Sequence, residues 1–391
     1  MLKHDAQTLQ NQIAAWYRHL HQIPEIGLSL PKTRTYLCEI LQEMGLSYRL
    51  FRHSSGIEVT LQGKSPGKVI ALRADMDALP FREQTGLPFS AKGENTHACG
   101  HDAHMAMLLG AISLLKDQEF PGTIKCLFQP GEEGYGGAIA ILDEGGLEHP
   151  HVDAVLGLHV SNTIPELRPG AIALRSGPIM ARSDAFKITI TGKSGHISDA
   201  CHVRNPIFAA AAVANKIQHL GNENMTSPDP AIISLGMIHG GVRDNAVPDT
   251  VEMRGSIRTL HAEQRAAILD QLKKFLFQCE TETGCHCTLT LEGGNRPVVN
   301  DPALSKQVRK SLYKLFPEDC ISLKSKLMAS DDICFFFQER QGCYLHLGCG
   351  FEDGRELYPL HNPKFYINEA ILWRGTAALV QSALDYLNDS N

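Results

Sequence analysis

The sequence contains no run of lysine and arginine, no uninterrupted apolar stretch long enough to span a bilayer, no internal repeat and no low-complexity tract. With 43 acidic against 37 basic residues and a net charge of -6, it lacks the basic footprint that an anionic partner needs. Nucleic acid and membranes are therefore not expected partners. Residues 1–7 run straight into a mixed polar and apolar helical pattern with no signal-peptide core, so a cytoplasmic location is the expectation. A disulfide framework is not expected either: the 11 cysteines are scattered through a long chain without targeting, which fits reduced, buried thiols. Cys285-His286-Cys287 reads as strand residues facing alternately in and out. What remains, at 391 residues and 43% hydrophobic, is an ordinary globular chain with room for two domains.

One stretch is dense in metal-ligand chemistry. His97-Ala98-Cys99-Gly100-His101-Asp102-Ala103-His104 puts three histidines, a thiol and a carboxylate just ahead of an apolar helical stripe, Met105, Leu108, Leu109, Ile112 and Leu115. Gly100 permits an irregular backbone between Cys99 and His101, so both can reach one ion or two adjacent ions. The helix is expected to start near Asp102, where a carboxylate favours the positive end of the dipole. Further donors lie at the ends of probable strands: Glu132-Glu133 after the run Gly122 to Gln129, His159 after Asp153 to Leu158, and His361 far downstream. Cys99, His101, Glu133, His159 and His361 make a mixed N, O and S set that suits zinc, manganese, cobalt or nickel better than calcium or magnesium. Five ligands exceed what one catalytic ion takes, and two ions per subunit is the more economical arrangement. Adjacent side chains in an extended segment diverge, so one of Glu132 and Glu133 can bind metal while the other faces water as a general base. Asp75 and Asp77 close the strand-like run Val69 to Met76 on one side of it. They are candidates to orient ligand histidines, with direct ligation the alternative.

Along the chain, helices are expected over residues 6–22 and 31–44, strands over 56–62 and 69–76, and then alternating strands and helices. That order argues an α/β catalytic domain with a mostly parallel sheet and helices on both faces. From residue 182 the pattern becomes strand, helix, two strands, helix, strand, the ferredoxin-like βαββαβ order. The expected organisation is a catalytic domain in two parts, residues 1–181 and 294–391, interrupted by a smaller inserted domain at 182–293.

Several segments carry a family likeness: His19 to Glu25, Arg73-Ala74-Asp75-Met76-Asp77-Ala78-Leu79-Pro80, His97 to His104, Gln129 to Gly134, Gly157 to His159, Ser194-Gly195-His196, Asn245 to Asp249 and Leu360-His361. In them the chain resembles the aminoacylase-type dinuclear metallo-amidohydrolases, in the branch of hippurate hydrolase, auxin-conjugate hydrolases and bacterial N-acyl-amino-acid amidohydrolases. The resemblance implies metal ligation by Cys99, His101, Glu133, His159 and His361, and a general base at Glu132. It also implies a lid domain that dimerises, with His196 binding the substrate carbonyl across the dimer and Asn245 and Arg258 suited to a substrate carboxylate. The reaction implied is attack of a metal-bound hydroxide on the amide of an N-acyl amino acid. A dipeptidase or carboxypeptidase on the same scaffold is the alternative. Two stretches depart from the family pattern, Ile197 to His202 and Met328-Ala329-Ser330-Asp331-Asp332, and both departures are expected to touch specificity more than chemistry.

Overall fold

The computed structural model describes residues 1–225 and 229–389. The chain forms two compact units. The first comprises Met1–Ile179, Val299–Ser325 and Asp331–Asn391, the second Met180–Val298 and Lys326–Ser330.

The first unit is built on an eight-stranded sheet. Its order is Tyr48–Leu50, Ile57–Gln62, Pro121–Gln129, Ser65–Asp75, Ala154–Ser161, Gln341–Gly348, Ile172–Leu174 and Cys320–Ser322. The three central pairings, from Pro121–Gln129 across to Gln341–Gly348, are parallel, as is the outer pair of Ile172–Leu174 with Cys320–Ser322, and antiparallel pairs flank the central three. Ala154–Ser161 is buried at every position, and Ser65–Asp75 from Val69 onward. That burial on both faces is why these strands read as continuous apolar runs. Ile70, Leu72 and Ala74 share one core with the helices His101–Leu115 and Leu372–Asn388. The α/β class with a mostly parallel sheet is thus the one the sequence implied.

Details differ where local polar groups compete with the helix. The helix expected over 6–22 is two, Leu2–Thr8 and Gln10–His21. At the break the Thr8 hydroxyl donates to the Asp5 carbonyl at 2.7 Å, a local bond that competes with helix propagation. The strands Ile172–Leu174 and Cys320–Ser322 were not foreseen, because three residues are too few for a readable period.

The second unit has a four-stranded sheet ordered Ile232–His239, Thr250–Thr259, Arg182–Thr191 and His286–Leu291, antiparallel throughout. The helices Pro206–Met225 and Ala262–Thr283 complete the ferredoxin-like order. Phe186, Ile188 and Ile190 point into its core, as their alternation with polar residues demands. The segment Lys326–Ser330 belongs here because the Ala181 N–H lies 2.9 Å from the carbonyls of both Leu327 and Ala329. Among the described residues no helix is long and apolar enough to cross a membrane, and all 11 cysteines are free.

Candidate active site

In open parallel sheets, sites form beyond the carboxyl ends of the strands, and the candidate ligands gather there. Asp75 ends Ser65–Asp75, Glu132 and Glu133 follow Pro121–Gln129, and His159 lies near the carboxyl end of Ala154–Ser161. Cys99 and His101 straddle Gly100, whose φ of 87° is left-handed and whose added Cβ would lie 2.3 Å from Val160 Cγ2. Only glycine fits that position, and the helix begins directly after it at His101, one residue before the expected start. His361 also sits in the left-handed region, with φ of 65°, and its N–H donates to the Ala98 carbonyl at 2.8 Å. For a non-glycine residue that backbone is strained by about 1–3 kcal/mol, and such strain persists only where surrounding structure enforces it. Here the bond to Ala98 ties the two ligand loops together.

The donor atoms converge. Those of Cys99, His101 and His159 lie within 4.8 Å of one another, and so do those of Cys99, Glu133 and His361 and of His101, Glu132 and Glu133. Cys99 Sγ is 3.6 Å from His159 Nε2, and His361 Nε2 is 3.2 Å from Glu133 Oε1. Hydrogen bonds fix which ring nitrogens are free. His101 Nδ1 donates to the Asp77 carbonyl at 2.8 Å, and His159 Nδ1 to the Val160 carbonyl at 2.6 Å, which leaves both Nε2 atoms facing the cluster. His101 Nε2 is buried with no hydrogen bond of its own. Burial pushes the Cys99 thiol well above its usual range and lowers His159 to about 4, so an ion in the cluster would meet a neutral His159 ring. An orphaned imidazole nitrogen among a thiol, two more imidazoles and a carboxylate is a donor set that fits divalent transition metals.

The polar residues left open by the sequence have other work. His104 Nδ1 donates to Asp75 Oδ1 at 2.6 Å while its Nε2 accepts the Val160 N–H at 2.9 Å, so both nitrogens are engaged. The other Asp75 oxygen accepts from Arg73 Nη1 at 2.6 Å. The Asp77 carboxylate accepts the N–H groups of Glu132 at 2.9 Å and of Glu133 at 3.1 Å, so one side chain orients both glutamates. Asp102 accepts from the buried His21, Nδ1 to Oδ2 at 2.6 Å.

Glu132 is buried, and desolvation followed by the charges of Asp331, Glu133 and Asp332 holds its carboxyl well above the usual range. Carboxylate oxygens of Glu132, Asp331 and Asp332 lie within 4.8 Å of one another. Asp331 accepts from the Tyr344 hydroxyl at 2.6 Å, and Arg73 Nη2 lies 3.3 Å from Asp331 and 2.9 Å from Asp332. Asp331 and Asp332, in the stretch expected to touch specificity, thus stand beside Glu132 in a buried network that the sequence did not disclose.

Three candidates lie in the second unit. His196 is exposed on the short strand Gly195–His196, which pairs with Ala246–Val247, and the Ile197 N–H donates to the Asn245 carbonyl at 3.1 Å. The structure thus brings His196 and Asn245 together at one two-stranded ribbon whose strands are distant in sequence. Arg258 is half-buried on Thr250–Thr259 and donates from Nη1 to the Met328 carbonyl at 3.0 Å. Among the described ion pairs it has no acidic partner.

Comparison with known proteins adds four findings. The model of peptidase family M20/M25/M40 matches residues 71–385. The chain is 35% identical to thermostable carboxypeptidase 1 of Saccharolobus solfataricus, over 99% of this chain and 98% of that one. It is 34% identical to N-acetyl-L-cysteine deacetylase of Bacillus subtilis, over 98% and 90% respectively. Among solved structures, a dinuclear metal-binding peptidase of the M20 family from Bacillus subtilis superposes with a TM-score of 0.83 at 28% identity, covering 97% of this chain and 99% of that one.

Proposed function

The chain belongs to peptidase family M20/M25/M40, and from that membership we propose that it is a metal-dependent amidohydrolase that cleaves N-acyl amino acids to a carboxylic acid and a free amino acid. The observation that carries this reading is the pair Glu132-Glu133, both N–H groups held on Asp77, beside the donor cluster of Cys99, His101, His159 and His361. In the proposed assignment Cys99, His101, Glu133, His159 and His361 hold two divalent ions per subunit, zinc, manganese, cobalt or nickel. When bound, the ions would supply Lewis-acid polarisation of water and of the scissile carbonyl. Glu132 takes the proton of the attacking water and hands it to the leaving nitrogen, so that water is consumed and the amide becomes a carboxylic acid and an amine. Its raised carboxyl suits a base that must also give the proton back.

We assign residues 182–293 as a lid that makes a homodimer. The edge position of Ile232–His239 supports this, because among the described residues the strand has no pairing partner on one side and it carries exposed Met237 and Ile238. In this reading His196 steadies the substrate oxyanion from the partner subunit, and Asn245 and Arg258 take the substrate carboxylate; the lack of an acidic partner for Arg258 supports its part. Free cysteines and an unremarkable net charge accord with a cytoplasmic location. Mixing His196→Ala with Glu132→Gln subunits tests the exchange of His196 between sites: activity should partly return, and no recovery after verified subunit exchange would reject it.

A carboxypeptidase is the second reading, favoured by the carboxypeptidase of Saccharolobus solfataricus. Metal-reconstituted protein assayed on N-acetyl and N-benzoyl amino acids, dipeptides and longer peptides, with released amino acid measured, decides between them. Preference for peptides over every N-acyl amino acid would sink the first reading.

A further inference from the structure

The turn that carries Glu132 and Glu133 leaves the sheet at Gln129 and re-enters regular structure at the helix Gly137–Asp143. Its two ends meet. The Gly137 N–H donates to the Gly131 carbonyl at 3.1 Å, and a Cβ on Gly137 would lie 1.7 Å from the Pro130 oxygen, so the turn is a loop with a closed neck. One side chain pins both sides of that neck. Asp332 Oδ2 accepts the Ala138 N–H at 2.8 Å from a residue 194 positions away in sequence. The same carboxylate accepts from Gln129 Nε2 at 2.8 and 2.9 Å. Arg73 completes the arrangement, donating from Nη2 to Asp332 at 2.9 Å and from Nε to Gln129 Oε1 at 2.8 Å. Arg73, Gln129 and Asp332 therefore form a closed ring of hydrogen bonds, all three side chains buried.

Stability alone gives little reason for such a ring, since buried charged networks can commonly be replaced by packed apolar residues at no loss of stability. What the ring does provide is a fixed distance across the neck. With Asp77 holding the N–H groups of Glu132 and Glu133, the loop has an anchor at its tip and another at its base. We propose that Asp332 is a positioning residue for the hydrolytic reaction: by closing the neck between Gln129 and Ala138 it holds the Glu132 carboxylate in register with the metal-ligand cluster. The proposal rests on the reading of Glu132 as general base. A base displaced by about 1 Å costs on the order of 10²-fold in rate, which sets the scale of the expected effect.

The test uses metal-loaded enzyme and three variants, Asp332→Asn, Gln129→Glu and the two together. Asp332→Asn sets an amide nitrogen against the Arg73 guanidinium or the Ala138 N–H, and Gln129→Glu sets a carboxylate against Asp332, whereas the double variant restores a donor–acceptor pair of reversed polarity between positions 129 and 332 and conserves the net charge of the ring. We expect each single variant to keep its metal content and its KM, to lose kcat by roughly 10- to 100-fold, and to exchange the amides of residues 131–137 faster than wild type. The double variant should recover about a tenfold share of the lost kcat. Wild-type kcat in the single variants, a loss confined to KM, or a double variant no better than the singles would overturn the proposal. If Asp332→Asn fails to fold, Gln129→Glu and the double variant carry the same comparison. Hydrogen exchange reports on the clamp without reference to the chemistry, and activity surviving in Glu132→Gln would count against the base assignment alone.

Discussion

Replacing Glu132 by glutamine separates proton transfer from every other role of that residue. The loop is anchored through the Glu132 N–H on Asp77, which the substitution leaves in place, and the side-chain volume hardly changes. Turnover should fall by about 10²- to 10⁴-fold, the range for losing a general base, with metal content unchanged. Stability should move the other way. Oxygens of Glu132, Asp331 and Asp332 lie within 4.8 Å of one another, and at an effective dielectric near 20 two unit charges at that separation repel by about 3 kcal/mol. Arg73, at 3.3 and 2.9 Å from the two aspartates, offsets part of this. The metal-free variant should therefore be about 1–3 kcal/mol more stable than metal-free wild type at neutral pH. The sign with pH follows from burial and neighbouring charge holding the Glu132 carboxyl above its usual range. Its penalty is absent below the unfolded value of about 4.3 and grows as the pH rises, so the advantage of the variant shrinks toward pH 4. Calorimetry on chelator-treated protein from pH 4 to 8, beside kcat and elemental analysis of loaded protein, measures both halves. Wild-type turnover at full metal occupancy would refute the proton-transfer role, and a variant less stable than wild type at pH 7 would refute the electrostatic reasoning.

Glu133→Gln should behave differently, lowering metal occupancy in elemental analysis, because its carboxylate belongs to the cluster with Cys99 and His361. A strong chelator should abolish activity of the wild type reversibly, and full activity in protein shown to be metal-free would reject the metal assignment. Gly100→Ala should cost about 2–4 kcal/mol, from a left-handed backbone and a Cβ 2.3 Å from Val160 Cγ2, measured by urea unfolding; a cost below about 1 kcal/mol would contradict that geometry. Glu166 accepts the N–H groups of Lys324 and Ser325 and the Ser325 hydroxyl, and against the opposing effect of desolvation these bonds lower its carboxyl to about 2. Its contribution is present above pH 4 or so and is lost as the pH falls toward 2, so the Tm gap between wild type and Glu166→Gln should close across that window.

Most of the candidate metal-ligand residues were legible because they are tied to a local backbone signal. Cys99 and His101 flank a glycine that must be left-handed, Glu132-Glu133 follows an apolar strand, and His159 ends another; such patterns survive in one dimension. The inserted unit was legible for the same reason, since alternation in Arg182–Thr191 differs visibly from the continuous apolar runs of the parallel sheet. Polar residues buried by distant partners leave no such trace. Asp331 and Asp332 precede the apolar stretch Ile333–Glu339 and look like the start of a helix, and Asp331 does accept the Ile333 N–H at 2.8 Å. Nothing local says that Asp332 turns toward Gln129 or that both meet Arg73, which lies 259 residues away from Asp332. The same holds for Asp75 and Asp77: a strand places them on one side, but only the fold decides that one takes His104 and Arg73 while the other takes the two glutamate N–H groups. A sequence thus discloses candidate ligands through the backbone they need, whereas the groups that hold those residues in place are specified by tertiary contact. It follows that substitutions at Arg73, Gln129 or Asp332 would act on the same loop as Glu132 although nothing local in the sequence assigns them that part.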